Sequence, residues 1–333
     1  MIASYPARRM TSKRLRERWT SPEGRLLAEQ AIQHLTGQRR ELPEGIETHE
    51  GRQDLRGLVA ATPEVHGRVS AGNASAHVAG GVVELHGVRW EALDLSHARL
   101  PSLRFFGSQI LDCRFEQASC RDWRLWSSEV SDSSFDATDL RDSAIGTWQN
   151  GRSNRWQSVS FDRADLRGAL ALGSHLEGCT FRDSRVADAQ FQHVTMRDCT
   201  FSGAMKDVLF DCRDLLGKPA ADVLVNLDFS QATFEDVEFR GCRFDGLKLP
   251  VAQGIYPIPN FPLVARRVLD LLVENSSVEA RMLRSELTVA LKMPGRDDSV
   301  GVFNRRDYIA SGGEPLADLA ESLLMEAAGD VNA

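Results

Sequence analysis

The sequence predicts a mainly β solenoid that carries a helical segment at each end. Three observations point to this fold class. An apolar or small residue recurs at every fifth position over about half of the 333 residues. A period of five fits neither the 3.6-residue turn of a helix nor the two-residue alternation of a long strand. Outside that region, apolar residues recur at the spacing of amphipathic helices.

The composition is that of an ordered, water-soluble protein. Hydrophobic residues make up 42%, charged residues 26%, and the formal net charge is −7. These values disfavour a disordered chain and a direct nucleic-acid binder, which is usually basic. No apolar run reaches the roughly 18 residues of a transmembrane helix, and the Arg-rich residues 1–19 do not resemble a secretory signal. We expect a cytoplasmic protein that makes no membrane contact.

Two segments precede the regular repeat. Residues 1–20 are predicted to be a basic tail, and residues 21–84 a helix followed by irregular first coils. The helix is predicted over 21–37, because a Ser-Pro pair opens it, a glycine ends it, and one face is apolar: Leu27, Ala31 and Leu35. Within the first coils, Asp54 to Leu58 form one degenerate unit of the repeat.

The repeat occupies residues 85–250. Its central apolar positions form three runs, separated by phase breaks at 146–160 and 205–223: Leu85 to Ile145, Phe161 to Phe201, and Leu224 to Leu249. A second, smaller residue stands two positions before most of them, and the other positions are mainly polar. Each unit thus has two inward side chains followed by an outward corner, which corresponds to one short side of a coil. The coils above and below cover the inward side chains.

These units resemble the A(D/N)LXX unit of the pentapeptide repeat proteins. The resemblance is carried by Thr138 to Asp142 and Ala164 to Gly168, and, with Phe at the centre, by Gln231 to Phe234 and Gly241 to Phe244. It implies a right-handed quadrilateral parallel β-helix with four units per coil. Residues 20 apart should then stack in columns: Leu85, Phe105, Leu125 and Ile145; Leu95, Phe115 and Phe135; Phe161, Phe181 and Phe201.

Residues 251–333 lose the five-residue period. A Pro-rich link leads to three predicted amphipathic helices, whose apolar positions are Val264, Val268, Leu271 and Leu272; Leu283, Leu287, Ala290 and Leu291; and Leu316, Leu319, Leu323 and Leu324. A solenoid needs a cap over its open end. The segment is therefore predicted to be such a cap, or a module for dimerisation or partner docking.

Residues that could carry chemistry have structural explanations. Asp94, Asp139, Asp165 and Asp228 stand immediately before a central residue, where the family's repeat places Asp or Asn. The histidines lack metal-ligand spacing, and no phosphate-binding glycine motif occurs. Neither a catalytic site, nor a metal, nor a cofactor is expected. The six cysteines lack a CxxC pair; Cys179 and Cys199 should stack as buried thiols, with a redox pair as the alternative.

Two clusters are candidates for partner binding, because Trp and Arg are enriched at interface hot spots and loops often carry function. The first, at the break 146–160, contains Trp126, Arg152, Arg155 and Trp156; Trp126 and Trp156 are predicted to face outward, and Trp123 and Trp148 inward. The second is a loop projecting at 205–223, with Asp207, Asp211, Arg213 and Asp214. Local packing and a tolerated insertion are the respective alternatives.

The favoured function is a non-catalytic scaffold that binds a protein partner. The best-known members of the family that this chain resembles protect DNA gyrase by resembling duplex DNA, and they dimerise through C-terminal helices. That resemblance makes gyrase or topoisomerase binding, in drug resistance or self-immunity, the alternative, and a homodimer a further expectation. Residues 85–250 contain 25 acidic and 20 basic residues, so acidic residues exceed basic ones only slightly. A mimic of duplex DNA as long as this repeat region would need roughly 20 net negative charges. A β-helix enzyme ranks third.

Overall fold

The computed structural model describes residues 11–60, 67–71, 74–79, 82–148, 151–213, 223–250, 254–293 and 295–332. The chain begins with two helices, α1 (Ser12–Glu17) and α2 (Pro22–Leu35). Ser21 caps α2 by accepting a hydrogen bond from the backbone N–H of Gly24 at 3.0 Å. Residues 12–17, predicted as part of a basic tail, are helical because Leu15 is buried against the first coil.

The first coils combine hairpin and solenoid pairing. The strands are β1 (Thr48–His49), β2 (Arg52–Asp54), β3 (Gly67–Ala71), β4 (Ala74–Ala79) and β5 (Val82–His86). β3, β4 and β5 form an antiparallel meander, while Asp54 pairs in parallel with Asp94. The Asp54 side chain is 5% exposed and lies 2.7 Å from Arg18 and 2.8 Å from Arg56. The Arg18 pair fixes the first helix to the solenoid, while the Arg56 pair lies within the first coil.

Parallel strands then follow one another around the solenoid. They are β6 (Arg89–Glu91), β7 (Leu93–Asp94), β8 (Leu103–Phe106), β9 (Gln109–Leu111), β10 (Arg124–Trp126), β11 (Glu129–Ser131), β12 (Ala144–Gly146), β13 (Arg155–Gln157), β14 (Leu170–Leu172), β15 (His175–Glu177), β16 (Thr180–Phe181), β17 (Gln190–Gln192), β18 (Thr195–Arg197), β19 (Thr200–Asp211), β20 (Leu224–Val225), β21 (Asp228–Arg240) and β22 (Phe244–Asp245).

The pairing register defines four sides per coil. Parallel pairs join residues of successive coils, and they recur at five-residue steps: Arg104 with Arg124, Gln109 with Glu129, Arg114 with Ser134, and Ser119 with Asp139. Corner residues such as Asp122 and Asp142 adopt a positive φ of 57° and 60°. Asp, Asn and Gly tolerate that conformation best, which explains their frequency there. The predicted parallel β-helix is confirmed.

The core is built from stacked aromatic rings. One column, here called the inner ladder, consists of Phe115, Phe135, Phe161, Phe181, Phe201 and Phe229, with successive ring centroids 4.5, 5.5, 4.9, 4.6 and 4.9 Å apart. All six side chains are buried. Leu85, Phe105 and Leu125 likewise align in register. The stacking predicted from the twenty-residue spacing is therefore confirmed in these columns.

The two phase breaks are shorter than the sequence suggested. The backbone N–H of Trp123 donates to the side chain of Ser143, at the usual separation of 20 residues. The equivalent bond from the N–H of Ser128 reaches the side chain of Asn154, 26 residues further along the chain. One coil is thus six residues longer, and the regular phase returns by β13 rather than after residue 160. The loop predicted from residue 205 is also wrong over its first part, because β19 runs on to Asp211. Residues 214–222 lie outside the described residues.

The C-terminal segment forms a second core against the end of the solenoid. It comprises β23 (Ile255–Ile258), α3 (Phe261–Leu271), α4 (Val278–Ala290), β24 (Gly301–Asn304) and α5 (Arg305–Asn332), which is two helices joined at a kink at Gly312 and Gly313. The three predicted helical stretches are present; the antiparallel β23–β24 pair was not predicted. The backbone N–H of Val300 donates to the carbonyl of Cys242 at 2.8 Å. None of the described helices is long and apolar enough to cross a membrane.

Candidate partner-binding surface

Three aromatic rings stack on the outside of the solenoid. His86, Phe106 and Trp126, here called the outer ladder, have ring centroids 4.5 Å apart in each step and planes 8° and 4° from parallel. Each ring follows a buried central residue, so strand alternation turns it outward, and each is half-buried. The column ends at Gly146, where a Cβ would lie 1.6 Å from the hydroxyl oxygen of Ser174.

Two arginines border the outer ladder. Arg104 and Arg124, two residues before Phe106 and Trp126, both contact Asp122, with N–O distances of 2.6 and 3.0 Å. Partial burial would raise the pKa of Asp122, but the two guanidinium groups outweigh it and hold that pKa below its usual value. Because two cations share one carboxylate, this group of three carries a net positive charge.

Arg152 and Arg155 lie at the Trp126 end of the outer ladder. The hydroxyl of Ser127 donates to the backbone carbonyl of Arg152 at 3.3 Å, and Arg155 pairs with Glu129 in the parallel ladder. Both arginine side chains are exposed, and neither forms an ion pair with any described residue. The structure therefore brings together three of the residues predicted for this patch: Trp126, Arg152 and Arg155.

The orientation predicted for two tryptophans is wrong. Trp156 is 1% exposed, and its indole N–H donates to the carbonyl of Ile145 at 2.8 Å. It stands five residues before Phe161, so it is a central residue of the resumed phase and faces inward. Trp148, predicted to face inward, packs over Gly173 and lies 5.5 Å from the His193 ring. It belongs to the extra six residues, which leave the regular path. Trp123 is buried as predicted.

His86 and Phe106 were not predicted as part of the patch. The signal that could have found them is the twenty-residue column, because counting back from Trp126 by one and two coils gives Phe106 and His86. The twenty-residue rule thus applies to outward positions as well as to central ones.

The second predicted cluster does not form a free loop. Asp207 is exposed, but Asp211 is 2% exposed and binds Arg213 through two hydrogen bonds of 2.6 and 2.9 Å. Arg213 also donates to the carbonyl of Met293 at 3.0 Å. Asp211 and Arg213 thus hold the C-terminal segment on the solenoid. Because both side chains bind partners within the chain, they are not available to bind another protein. Asp214 lies outside the described residues.

An open depression of 410 Å³ on another side of the solenoid is lined partly by carboxylates. Its lining includes Asp139, Asp165, Asp183, Arg163 and Arg185. The hydrogen bond from a neighbouring arginine lowers the pKa of Asp139; for Asp165, burial acts upward, but such a hydrogen bond again prevails and lowers the pKa. A general acid needs a pKa near the working pH. Within the described ranges, no group of three or more metal-binding side chains occurs.

Acidic and basic columns alternate beside this depression. Arg121, Arg141 and Arg167 occupy successive coils, and Arg121 binds Asp142 at 3.0 Å, while Arg141 and Arg167 each bind an aspartate at 2.7 Å. The negative charge on this side is thus interrupted by arginines at each of these coils.

Comparison with known families agrees with the repeat register. Residues 160–203 match the family described as pentapeptide repeats, in eight copies. This part of the chain consists of pentapeptide repeats. No curated protein matches its sequence.

The solved structures to which the chain is similar include QnrB1, HetL and Rfr23. QnrB1, a plasmid-mediated fluoroquinolone resistance protein, is 12% identical with a TM-score of 0.21, over 49% of this chain and 72% of that one. HetL, a pentapeptide repeat protein involved in heterocyst differentiation regulation from the cyanobacterium Nostoc sp. strain PCC 7120, is 14% identical with a TM-score of 0.25, over 48% and 88%. Rfr23, from the cyanobacterium Cyanothece 51142, is 12% identical with a TM-score of 0.15, over 50% and 87%. Identities this low carry no inference about function.

The C-terminal segment presents a second, apolar surface. Val278, Met282, Val289 and Met293 are exposed at steps of four, seven and four residues along α4 and just beyond it; Val289 is 59% exposed. Positions with this spacing share one face of a helix. The stripe is distinct from the face of α4 that packs on α3 and α5, which contains the buried Ala280, Leu283 and Leu287.

Proposed function

We propose that this protein is a non-catalytic cytoplasmic scaffold that binds a protein partner through the outer ladder together with Arg152 and Arg155. The observation that carries the proposal is the row of three stacked, half-exposed rings beside two exposed arginines. Elsewhere on the described coils, outward positions are mainly polar, and many of their charges are paired. Aromatic and arginine side chains supply most of the binding energy in protein interfaces.

The physical reason to favour this surface is its rigidity. Each ring is held by its neighbours at a stacking distance of 4.5 Å, and the strands beneath are fixed by the parallel ladder. Binding therefore immobilises few additional side-chain rotamers, which lowers the entropic cost of association. The net charge of −7 supports a protein partner over nucleic acid, because phosphate backbones would be repelled overall.

Binding to DNA gyrase or a topoisomerase as a DNA mimic remains the alternative suggested by the family resemblance. A mimic of duplex DNA needs one continuous acidic face. The arginine columns at Arg121, Arg141 and Arg167 do not favour that reading, so we rank it second. A homodimer formed through the exposed stripe of α4 is compatible with either function.

The test has two steps. The tagged protein is used to capture partners from a lysate of its source organism, and each captured protein is purified and its affinity measured directly. Trp126→Ala and the double variant Arg152→Ala, Arg155→Ala should each weaken the true partner's binding at least tenfold, or about 1.4 kcal/mol. Arg185→Ala and Arg197→Ala, at exposed positions outside this surface, are the matched controls.

If no purified partner loses affinity with the Trp126 variant, or if the controls lose as much, the outer ladder is not the binding surface. Recovery of a gyrase subunit, with affinity unchanged by the Trp126 variant, would instead favour the mimic.

A further inference from the structure

Two buried cysteines meet at the C-terminal end of the solenoid. The sulfur atoms of Cys212 and Cys242 are 2.9 Å apart, and both residues are free thiols with exposures of 1% and 0%. The separation is only about 0.9 Å longer than the S–S bond of a disulfide, about 2.0 Å. The pair is 30 positions apart in sequence and was not predicted, because the inserted residues hide its spacing.

The backbone geometry permits a covalent bond between them. The N–H of Cys212 donates to the carbonyl of Arg240 at 2.8 Å, so the two residues lie on adjacent coils. Adjacent strands are about 4.8 Å apart, and disulfides span Cα separations of about 4.4–6.8 Å. Closing the bond therefore needs a small side-chain movement and no rearrangement of the coils.

We propose that Cys212 and Cys242 form an intramolecular disulfide when the protein meets a thiol oxidant, and that this bond locks the last coils together. Each thiol gives up one proton and one electron as the S–S bond forms. With an azodicarboxamide oxidant such as diamide, the two protons and two electrons reduce its N=N bond to a hydrazine. A dithiol reductant reverses the step by thiol–disulfide exchange.

The bond would act on the surface that holds the C-terminal segment. Val300 donates to the carbonyl of Cys242 at 2.8 Å, and Arg213, next to Cys212, donates to the carbonyl of Met293 at 3.0 Å. The ring closed by the disulfide contains β20 and β21, which include the last inner-ladder residue. Oxidation should therefore stabilise both the terminal coils and the docked segment.

A second pair of thiols supplies the internal comparison. Cys179 and Cys199 also interact, since the hydrogen bond between them lowers the pKa of Cys179 and raises that of Cys199. Further coils cover them on both sides. Burial and the nearby Cys212 raise the pKa of Cys242, so its thiolate forms when the terminal coils open. Local opening is easiest at the ends of a solenoid, which favours reaction at the Cys212–Cys242 pair.

The full-length protein is purified under reducing, anaerobic conditions, treated with diamide, alkylated and mapped by mass spectrometry. We expect the six free thiols to fall to four, with one linked peptide joining Cys212 to Cys242. The melting temperature should rise by roughly 5–10 °C and return on reduction. Cys212→Ala should abolish both changes, and the matched variant Cys179→Ala should keep them.

The wild-type peptide map needs no variant to fold, so the proposal stays testable if Cys212→Ala is unstable. Retention of all six thiols in the folded protein, a link between Cys179 and Cys199 alone, or a link between two protein molecules would each overturn it.

Discussion

Replacing one ring of the inner ladder should remove a large part of the protein's stability. Phe181 is 1% exposed and stacks on Phe161 at 4.9 Å and on Phe201 at 4.6 Å. A buried Phe→Ala change costs about 3–5 kcal/mol, and each aromatic pair adds about 0.5–1.5 kcal/mol beyond burial. Since adjacent coils are held apart by the backbone ladder, the cavity cannot collapse. We expect Phe181→Ala to lower the free energy of unfolding by about 4–5 kcal/mol.

Guanidinium chloride unfolding, followed by circular dichroism, measures this loss. Phe106→Ala is the matched control, because Phe106 also stacks on two neighbours, at 4.5 Å each, but on the outer surface. Its half-exposed ring leaves no sealed cavity, so the loss should be about 1–2 kcal/mol. Equal losses for the two variants, or a loss below about 2 kcal/mol for Phe181→Ala, would refute the argument that the sealed inner stack carries the stability.

Three further variants test other features. Asp54→Asn should destabilise the fold by about 3 kcal/mol at pH 7. Burial would raise the pKa of Asp54, but the two arginines outweigh it and lower that pKa. The stability advantage of the wild type should therefore persist down to about pH 4 and be lost as the pH falls further, which thermal melts at a series of pH values will check. Arg213→Ala leaves the Asp211 carboxylate buried without its main partner, so we expect a loss of about 2–3 kcal/mol and faster proteolysis between residues 291 and 300; unchanged cleavage would contradict the docking role. Val289→Asp should convert a dimer to a monomer in size-exclusion chromatography with light scattering; a wild-type protein that is already monomeric at high concentration would exclude the dimer.

The solenoid was predictable because its burial pattern is local. Each central residue, such as Leu95 or Phe181, faces inward by the same five-residue rule, and the twenty-residue coil fixes which residues stack. Even Trp156 follows the rule, because the break predicted over 146–160 ends before Trp156, which pairs with Val130 and is buried. Trp148 could not be placed from the period, since its position depends on how the extra residues leave and rejoin the coil.

Contacts between the solenoid and the helical segment were not predictable. In the sequence, Asp211 and Arg213 resemble charged residues of an exposed loop. Their role in holding the C-terminal segment is shown only by the contact of Arg213 with Met293, 80 positions away. The β23–β24 pair is equally hidden, since its two short strands are separated by two helices. In the proposed binding surface, residue type alone pointed to Trp126 and the two arginines, while Phe106 and His86 are identified only from the coil register.

The longer coil at residues 146–154 has a consequence for how this fold can change. Six additional residues leave and rejoin the solenoid there, yet Phe135 and Phe161 still stack at 5.5 Å across it. Since each coil contacts only its neighbours, an insertion at a corner need not disturb the remaining stack. Such corners are therefore places where new peptide segments can be added, and a foreign epitope or binding loop grafted at this one would be displayed on a rigid support within reach of Trp126.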